Sequence, residues 1–107
     1  MVSADVGSIE VVDRSDEERY EVLVDGRVAG FTQYRVRPGL VAFVHTEIDE
    51  RLEGHGLASR LISTALDDAR AKGLAVLPFC PFVNGYIKRH TEYLALVPAD
   101  YREPFGL

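Results

Sequence analysis

The stretch Glu53-Gly54-His55-Gly56-Leu57-Ala58-Ser59 constrains this chain most, because it joins a buried strand to its one strongly periodic helix. Before it, Leu40-Val41-Ala42-Phe43-Val44 is a continuous apolar run and reads as a buried strand. After it, Leu57, Ala58, Leu61, Ile62, Ala65, Leu66 and Ala69 recur at helical spacing. Arg60, Ser63, Thr64, Asp67, Asp68, Arg70 and Lys72 face away. Gly73 stands where a helix C-terminus wants a residue at positive φ. A helix start leaves backbone N–H groups without partners, and its dipole is positive there. Glycines remove the Cβ atoms that would hold an anion away, so a phosphate can reach the amides. A plain helix start, with glycines only to make the turn, fits the same residues.

Two better-known phosphate motifs are excluded. No Gly-Lys-Ser/Thr follows, as a P-loop requires. Ser59 occupies the third glycine position of a dinucleotide fingerprint, and the next strand ends in Phe79-Cys80 rather than an acid. The net charge of −5 is spread along the chain, which argues against a nucleic-acid surface. No apolar run approaches the roughly 20 residues of a membrane span. Nor does the start Met1-Val2-Ser3-Ala4-Asp5 look like a signal peptide. Cys80 is the sole cysteine and has no internal disulfide partner, so the expected setting is the cytoplasm.

The 107 residues favour one domain, 1–107. Residues 1 to 7 are expected to be loose. Ser8 to Asp13 reads as an edge strand, and Arg14 to Glu18 as a charged turn. Tyr20, Val22 and Val24 alternate with Glu21, Leu23 and Asp25, the period of a half-buried strand. Asp25-Gly26 is a hairpin signal, and the return strand runs from Arg27 to about Val36, with Gly30 marking a bulge or a close approach. Arg37-Pro38-Gly39 turns into the fourth strand, Leu40 to Ile48. Leu74 to Leu77 reads as a fifth strand, parallel to the fourth by a right-handed crossover. Pro81 opens a second helix with Phe82, Val83, Tyr86 and Ile87 on one face. Thr91 to Val97 suggests a further short helix capped by Thr91, and Pro98 to Leu107 a tail packed by Tyr101 and Phe105. The fold class is α/β, an α+β mixed sheet: an antiparallel meander of about four strands, a helix, a parallel fifth strand and a second helix.

These pieces, with His45-Thr46-Glu47, the glycine turn, Leu77-Pro78-Phe79-Cys80-Pro81-Phe82-Val83 and Tyr86 to Tyr93, resemble the GNAT N-acetyltransferases over about residues 20–97. The likeness is to their short single-domain branch. It implies acetyl-coenzyme A as co-substrate, with no metal, and acetyl transfer to an unidentified amine, a small amine or a protein lysine or N-terminus. The alternative is a non-catalytic acyl-coenzyme A sensor or interaction domain. No nucleic-acid or membrane partner is expected, and the chain is expected to be a monomer or weak dimer.

The resemblance also places a site. Pyrophosphate meets the turn, with cofactor contacts at Gly54, His55, Gly56, Leu57, Ala58 and Ser59. The family pattern Gln/Arg-x-x-Gly-x-Gly/Ala can be laid from Glu53, which keeps the helix stripe in phase, or from Arg51. The pantetheine arm pairs with the fourth strand near Val44 to Ile48, giving contacts at Val44 and Thr46. Tyr86 and Arg89 of the second helix are further cofactor candidates. The family's usual tyrosine acid falls on Ile87, and the pair of helices between its first two strands is missing, so the acceptor site should be open or completed by something else.

Three residues are candidates for catalysis. Cys80 sits at a helix N-terminus, where the dipole favours thiolate. It can take the acetyl group, act as an acid, or be an ordinary buried residue. His45 and Glu47 share one face of the fourth strand, and either can take a proton from an amine or simply face solvent. His45, Glu47, Cys80 and His90 show no metal-ligand spacing.

Overall fold

The structure is a computed structural model in which residues 8–52, 54 and 56–107 are described. The expectation for residues 1 to 7 lies outside that set. β1 (Ile9–Arg14), β2 (Arg19–Val24), β3 (Arg27–Arg37) and β4 (Leu40–Ile48) form an antiparallel meander. α1 (Leu57–Ala71) then crosses to β5 (Ala75–Pro78), which lies parallel to β4, and α2 (Pro81–Arg89) follows. The sheet order is β1-β2-β3-β4-β5. The mixed-sheet expectation therefore holds in both element order and strand direction.

Local chemistry sets the turns. Asp25 and Gly26 have φ of 50° and 82°, the positive pair that a tight hairpin between twisted strands requires. At Gly30, an added Cβ would lie 2.6 Å from the Glu47 carbonyl, so a close approach holds that position. The bulge beside it falls on Ala29, because Val22 pairs Gly30 while Leu23 pairs Val28. α1 ends in a paired closure: Gly73 N–H donates to Arg70 O (3.1 Å) and Leu74 N–H to Ala69 O (2.9 Å).

Both helices cover one face of the sheet. Tyr20, Val22, Tyr34, Val41, Phe43 and Val76 form one core with Leu57, Leu61, Ile62, Ala65, Leu66 and Ala69 of α1 and Val83, Tyr86 and Ile87 of α2. Polar contacts tie α1 and its C-cap to β2 and β1, and β1 in turn to β3. Tyr20 Oη donates to Asp68, Lys72 pairs with Asp68 (2.9 Å) and Asp13 (3.6 Å), and Tyr34 Oη donates to Asp13 (2.6 Å). Burial first, then these carboxylates, pushes both phenols well above their ordinary range. No helix packs on the other face among the described residues. The link between β1 and β2 is only the 3₁₀ turn Ser15–Glu17, so no helix is supplied there to cover it.

The structure corrects several expectations. β2 is buried on both faces, not half-buried, since Glu21 is 4% exposed. Glu21 survives there because Arg14 Nε (3.0 Å) and Arg19 Nη2 (2.6 Å) close on its two oxygens. Phe82 is exposed rather than on the buried face of α2. Thr91–Leu96 is a 3₁₀ helix, and Thr91 does not cap it: His90 is at its N-cap, without a side-chain bond. The tail contains α3 (Ala99–Arg102), and Phe105 packs edge-on against Phe79 (5.1 Å), while Tyr101 stays exposed.

Glu21 links this packing to pH. Burial raises its pKa, but hydrogen bonds from Arg14 and Arg19 outweigh that and hold it below the ordinary value. A carboxyl depressed in the fold contributes fully above its unfolded pKa, about 4.3, and that contribution is lost as pH falls through the folded value. We expect Glu21→Gln to lower stability at neutral pH by about 1–3 kcal/mol in urea unfolding. It should also flatten the loss of thermal stability below about pH 4. An unchanged acid profile would show that Glu21 carries none of it.

Candidate functional site

Strand pairing decides where a ligand can enter. β3 pairs β4 as far as Ile48, but β5 pairs only Leu40 to Phe43. The last contact across is Cys80 N–H donating to Phe43 O at 2.8 Å. From Val44 to Ile48 the outer edge of β4 has no strand partner among the described residues, so its N–H and C=O groups are open to an extended ligand. A bulge marks the point of departure. Gln33 pairs His45 and Tyr34 pairs Phe43, which leaves Val44 as the extra residue with its side chain exposed.

Beside this edge stands the start of α1. Gly54 and Gly56 have φ of 90° and 73°, and a Cβ built on either would meet nothing within 4 Å. Gly56 is the N-cap, no side chain caps the helix, and its first turn holds no acid. The first helical bond is Arg60 N–H to Gly56 O (3.0 Å), so Leu57, Ala58 and Ser59 present their amides at the positive end of the helix. In this turn the positive-φ glycines are Gly54 and Gly56, and Ala58 lies inside the helix. Laid from Arg51, the family pattern puts its two glycine slots on these positive-φ residues; laid from Glu53, it puts the second on Ala58 inside the helix. The helix stripe is undisturbed because both glycines precede it. Glu53 and His55 lie outside the described residues.

A cleft of about 480 Å³ lies between the two elements, lined by Glu47, Ile48, Glu50, Ala58 and Phe82. A groove of about 400 Å³ shares Phe82 and runs past Pro81 and Gly85 to Arg89. A larger hollow, about 570 Å³, lies by the β2–β3 hairpin. Asp25, Asp49, Arg27 and Arg51 line it, so its charges balance, and no α-helix start opens into it to offer bare amides.

The candidate side chains fall on two sides of β4. Cys80 is 2% exposed, and its thiol donates to Thr46 Oγ1 at 3.2 Å. Thr46 Oγ1 lies 2.9 Å from Thr32 Oγ1, on the helix-covered face. His45 and Glu47 flank Thr46 in sequence and so point to the bare face. His45 Nε2 sits 2.8 Å from Glu47 Oε2, with the ring 5.9 Å from that of Phe31. The structure thus joins His45 to Glu47 and Cys80 to Thr46, but does not bring Cys80 to His45. Tyr86 turns into the core, stacked on His90 at 4.1 Å, so its phenyl face is spent on packing. Arg89 is exposed at the far end of the groove. Ile87, in the tyrosine slot, is wholly buried.

Sequence reasoning missed the Val44 bulge and the hydroxyl of Thr32, which lies in β3 and is brought to Thr46 only by strand register. In the sequence Arg51 reads only as a possible start of the glycine pattern. Its guanidinium pairs with Asp49 (2.9 Å) at the entry to the glycine turn.

Gly56→Ala separates the amide cradle from general stability. A left-handed alanine costs about 1–2 kcal/mol wherever it stands. Gly39, at φ 77° with equally open space, is the matched control. We expect both variants to lose similar stability, but only Gly56→Ala to weaken coenzyme A binding in calorimetry, by about tenfold. Equal affinities would remove the cradle from the site.

The sequence matches the family model described as GCN5-related N-acetyl-transferase over residues 19–97. Among curated proteins none matches it. Among solved structures it is similar to the ribosomal-protein-alanine N-acetyltransferase from Brucella melitensis biovar Abortus 2308, at 24% identity and a TM-score of 0.49. That likeness covers 76% of this chain and 61% of the other, so the chain spans less than two thirds of that structure. The family match runs from β2 through both helices and takes in every element of the cleft, and on that basis the chain belongs to the GCN5-related N-acetyltransferases.

Proposed function

We propose that the protein transfers the acetyl group of acetyl-coenzyme A to an amine. The observation that carries this reading is the half-open β4: its edge loses β5 after Phe43, beside the uncapped amides of α1. The diphosphate of the coenzyme would lie on the amides of Gly54 and of Gly56 to Ser59. The pantetheine arm would run through the cleft past Ala58 and Phe82 to the edge of Val44 to Ile48, whose backbone N–H groups can polarise the thioester carbonyl. Arg89, at the groove's end, can meet a phosphate.

The two faces of β4 then divide the work. The coenzyme enters from the helix side, and the amine from the bare side, where no helix stands among the described residues. Glu47, steadied by His45, is placed to take the proton of the attacking amine. Cys80 lies on the coenzyme side, with its thiol engaged by Thr46. That supports a role beside the departing sulfur rather than attack on the acetyl carbon. The net charge of −5 favours approach of cationic amines, such as a lysine side chain, a polyamine or a peptide N-terminus.

A sensor that binds an acyl-coenzyme A without turnover is the second reading. Ile87 favours it, because a buried aliphatic stands where the family's tyrosine acid belongs. Turnover decides between them. With acetyl-coenzyme A and a panel of polyamines, lysine-bearing peptides and free N-terminal peptides, we expect release of coenzyme A thiol. Glu47→Gln should lower kcat/KM by about 100-fold at unchanged affinity for acetyl-coenzyme A. Binding without release across the panel favours the sensor, and no binding at millimolar ligand removes both readings.

A further inference from the structure

Thr32 is wholly buried, and its hydroxyl has one partner among the described residues, Thr46 Oγ1 at 2.9 Å. A buried O–H must donate, or it bears the full cost of lost hydration. Thr32 therefore donates to Thr46. Cys80, also buried, donates its thiol hydrogen to the same oxygen at 3.2 Å. A hydroxyl oxygen has two lone pairs and one hydrogen. Both lone pairs of Thr46 are thus occupied, and its hydrogen has no acceptor in the described protein. Thr46 itself is only part-buried, on the stretch of β4 whose outer edge is open.

From this we infer that the Thr46 hydroxyl is a hydrogen-bond donor held ready for the coenzyme's sulfur, with Thr32 and Cys80 as the positioning residues that orient it. The inference rests on the acetyl-transfer reading above. In the transfer step, the amine lone pair forms the C–N bond and the C–S bond breaks, with its electron pair passing to sulfur. The amine's proton goes to the Glu47 carboxylate. Thr46 keeps its own proton and shares it with the new thiolate, which is protonated by water once it leaves. Two incoming hydrogen bonds polarise the Thr46 O–H and strengthen the one it gives. This supplies thiolate stabilisation where the chain has Ile87 instead of a phenol.

The test needs no acceptor. Cys80→Ser leaves a protein without thiols, because Cys80 is its sole cysteine, and keeps an O–H at that position. In this background, the ultraviolet absorbance of thiolate follows the titration of bound coenzyme A. A donor to sulfur should make the bound thiol about tenfold more acidic than free coenzyme A. Thr46→Val, which keeps the branched shape of a strand residue, should abolish that shift, and Thr46→Ser should retain it. Thr32→Val should lose part of it and Thr32→Ser should not. A shift that survives Thr46→Val, or a bound thiol no more acidic than free, overturns the Thr46 assignment alone. Failure of every form to bind coenzyme A overturns the reading on which it rests.

Discussion

The end of β5 at Pro78 is the constraint on which the site depends. A proline has no N–H to give a parallel ladder, and here it stands opposite Phe43, the last β4 residue that β5 reaches. The next residue, Phe79, folds its N–H back onto Leu77 O (3.1 Å) instead of going forward. Cys80 N–H then closes on Phe43 O, and Pro81 starts α2. β4, however, continues for five more residues on β3 alone. Parallel neighbours of unequal length leave a gap, and the Val44 bulge turns the free edge as it opens.

That gap gains meaning from what surrounds it. α1 begins next to it with a glycine N-cap and no acid in its first turn, so the nearest strong dipole presents bare amides. The core beneath is closed: Phe43, Leu57, Val83 and Ile87 are almost fully buried. The cleft therefore rests on a packed floor, while Glu47, Glu50 and Phe82 line it from the exposed surface. Among the described residues the sheet's other face has no helix above it, because only the Ser15–Glu17 turn separates β1 from β2. In the acetyl-transfer reading a large acceptor, such as a protein tail, could approach there without a lid. His45 and Glu47 are exposed on that side, which suits a base working on an incoming amine.

Much of this was legible in the residues. Local patterns wrote the strands, the Asp25-Gly26 hairpin and the stripe of α1, and the strand-helix-strand order fixed a parallel β5. The bare helix start could be read from Gly54 and Gly56. What was hidden depends on pairing between distant segments. The half-buried expectation for β2 failed because alternation cannot reveal that Arg14 and Arg19 will neutralise Glu21 from β1 and from β2 itself. Apolarity alone puts Phe82 in the core, whereas the helix turns it to the cleft. Strand parity set Thr46 against His45 and Glu47, but only the structure puts the Cys80 thiol on Thr46 and adds the hydroxyl of Thr32 from β3.

The central claim is that the outer edge of β4 beyond Phe43 receives a ligand whose diphosphate sits on the start of α1. Amide chemical shifts recorded during titration with acetyl-coenzyme A test it directly. The account predicts the largest changes on the amides of Val44 to Ile48 and Leu57 to Ser59, with β1 and the β2–β3 hairpin unmoved. Changes centred instead on Val24, Arg27 and Asp49, around the larger hollow, would contradict it.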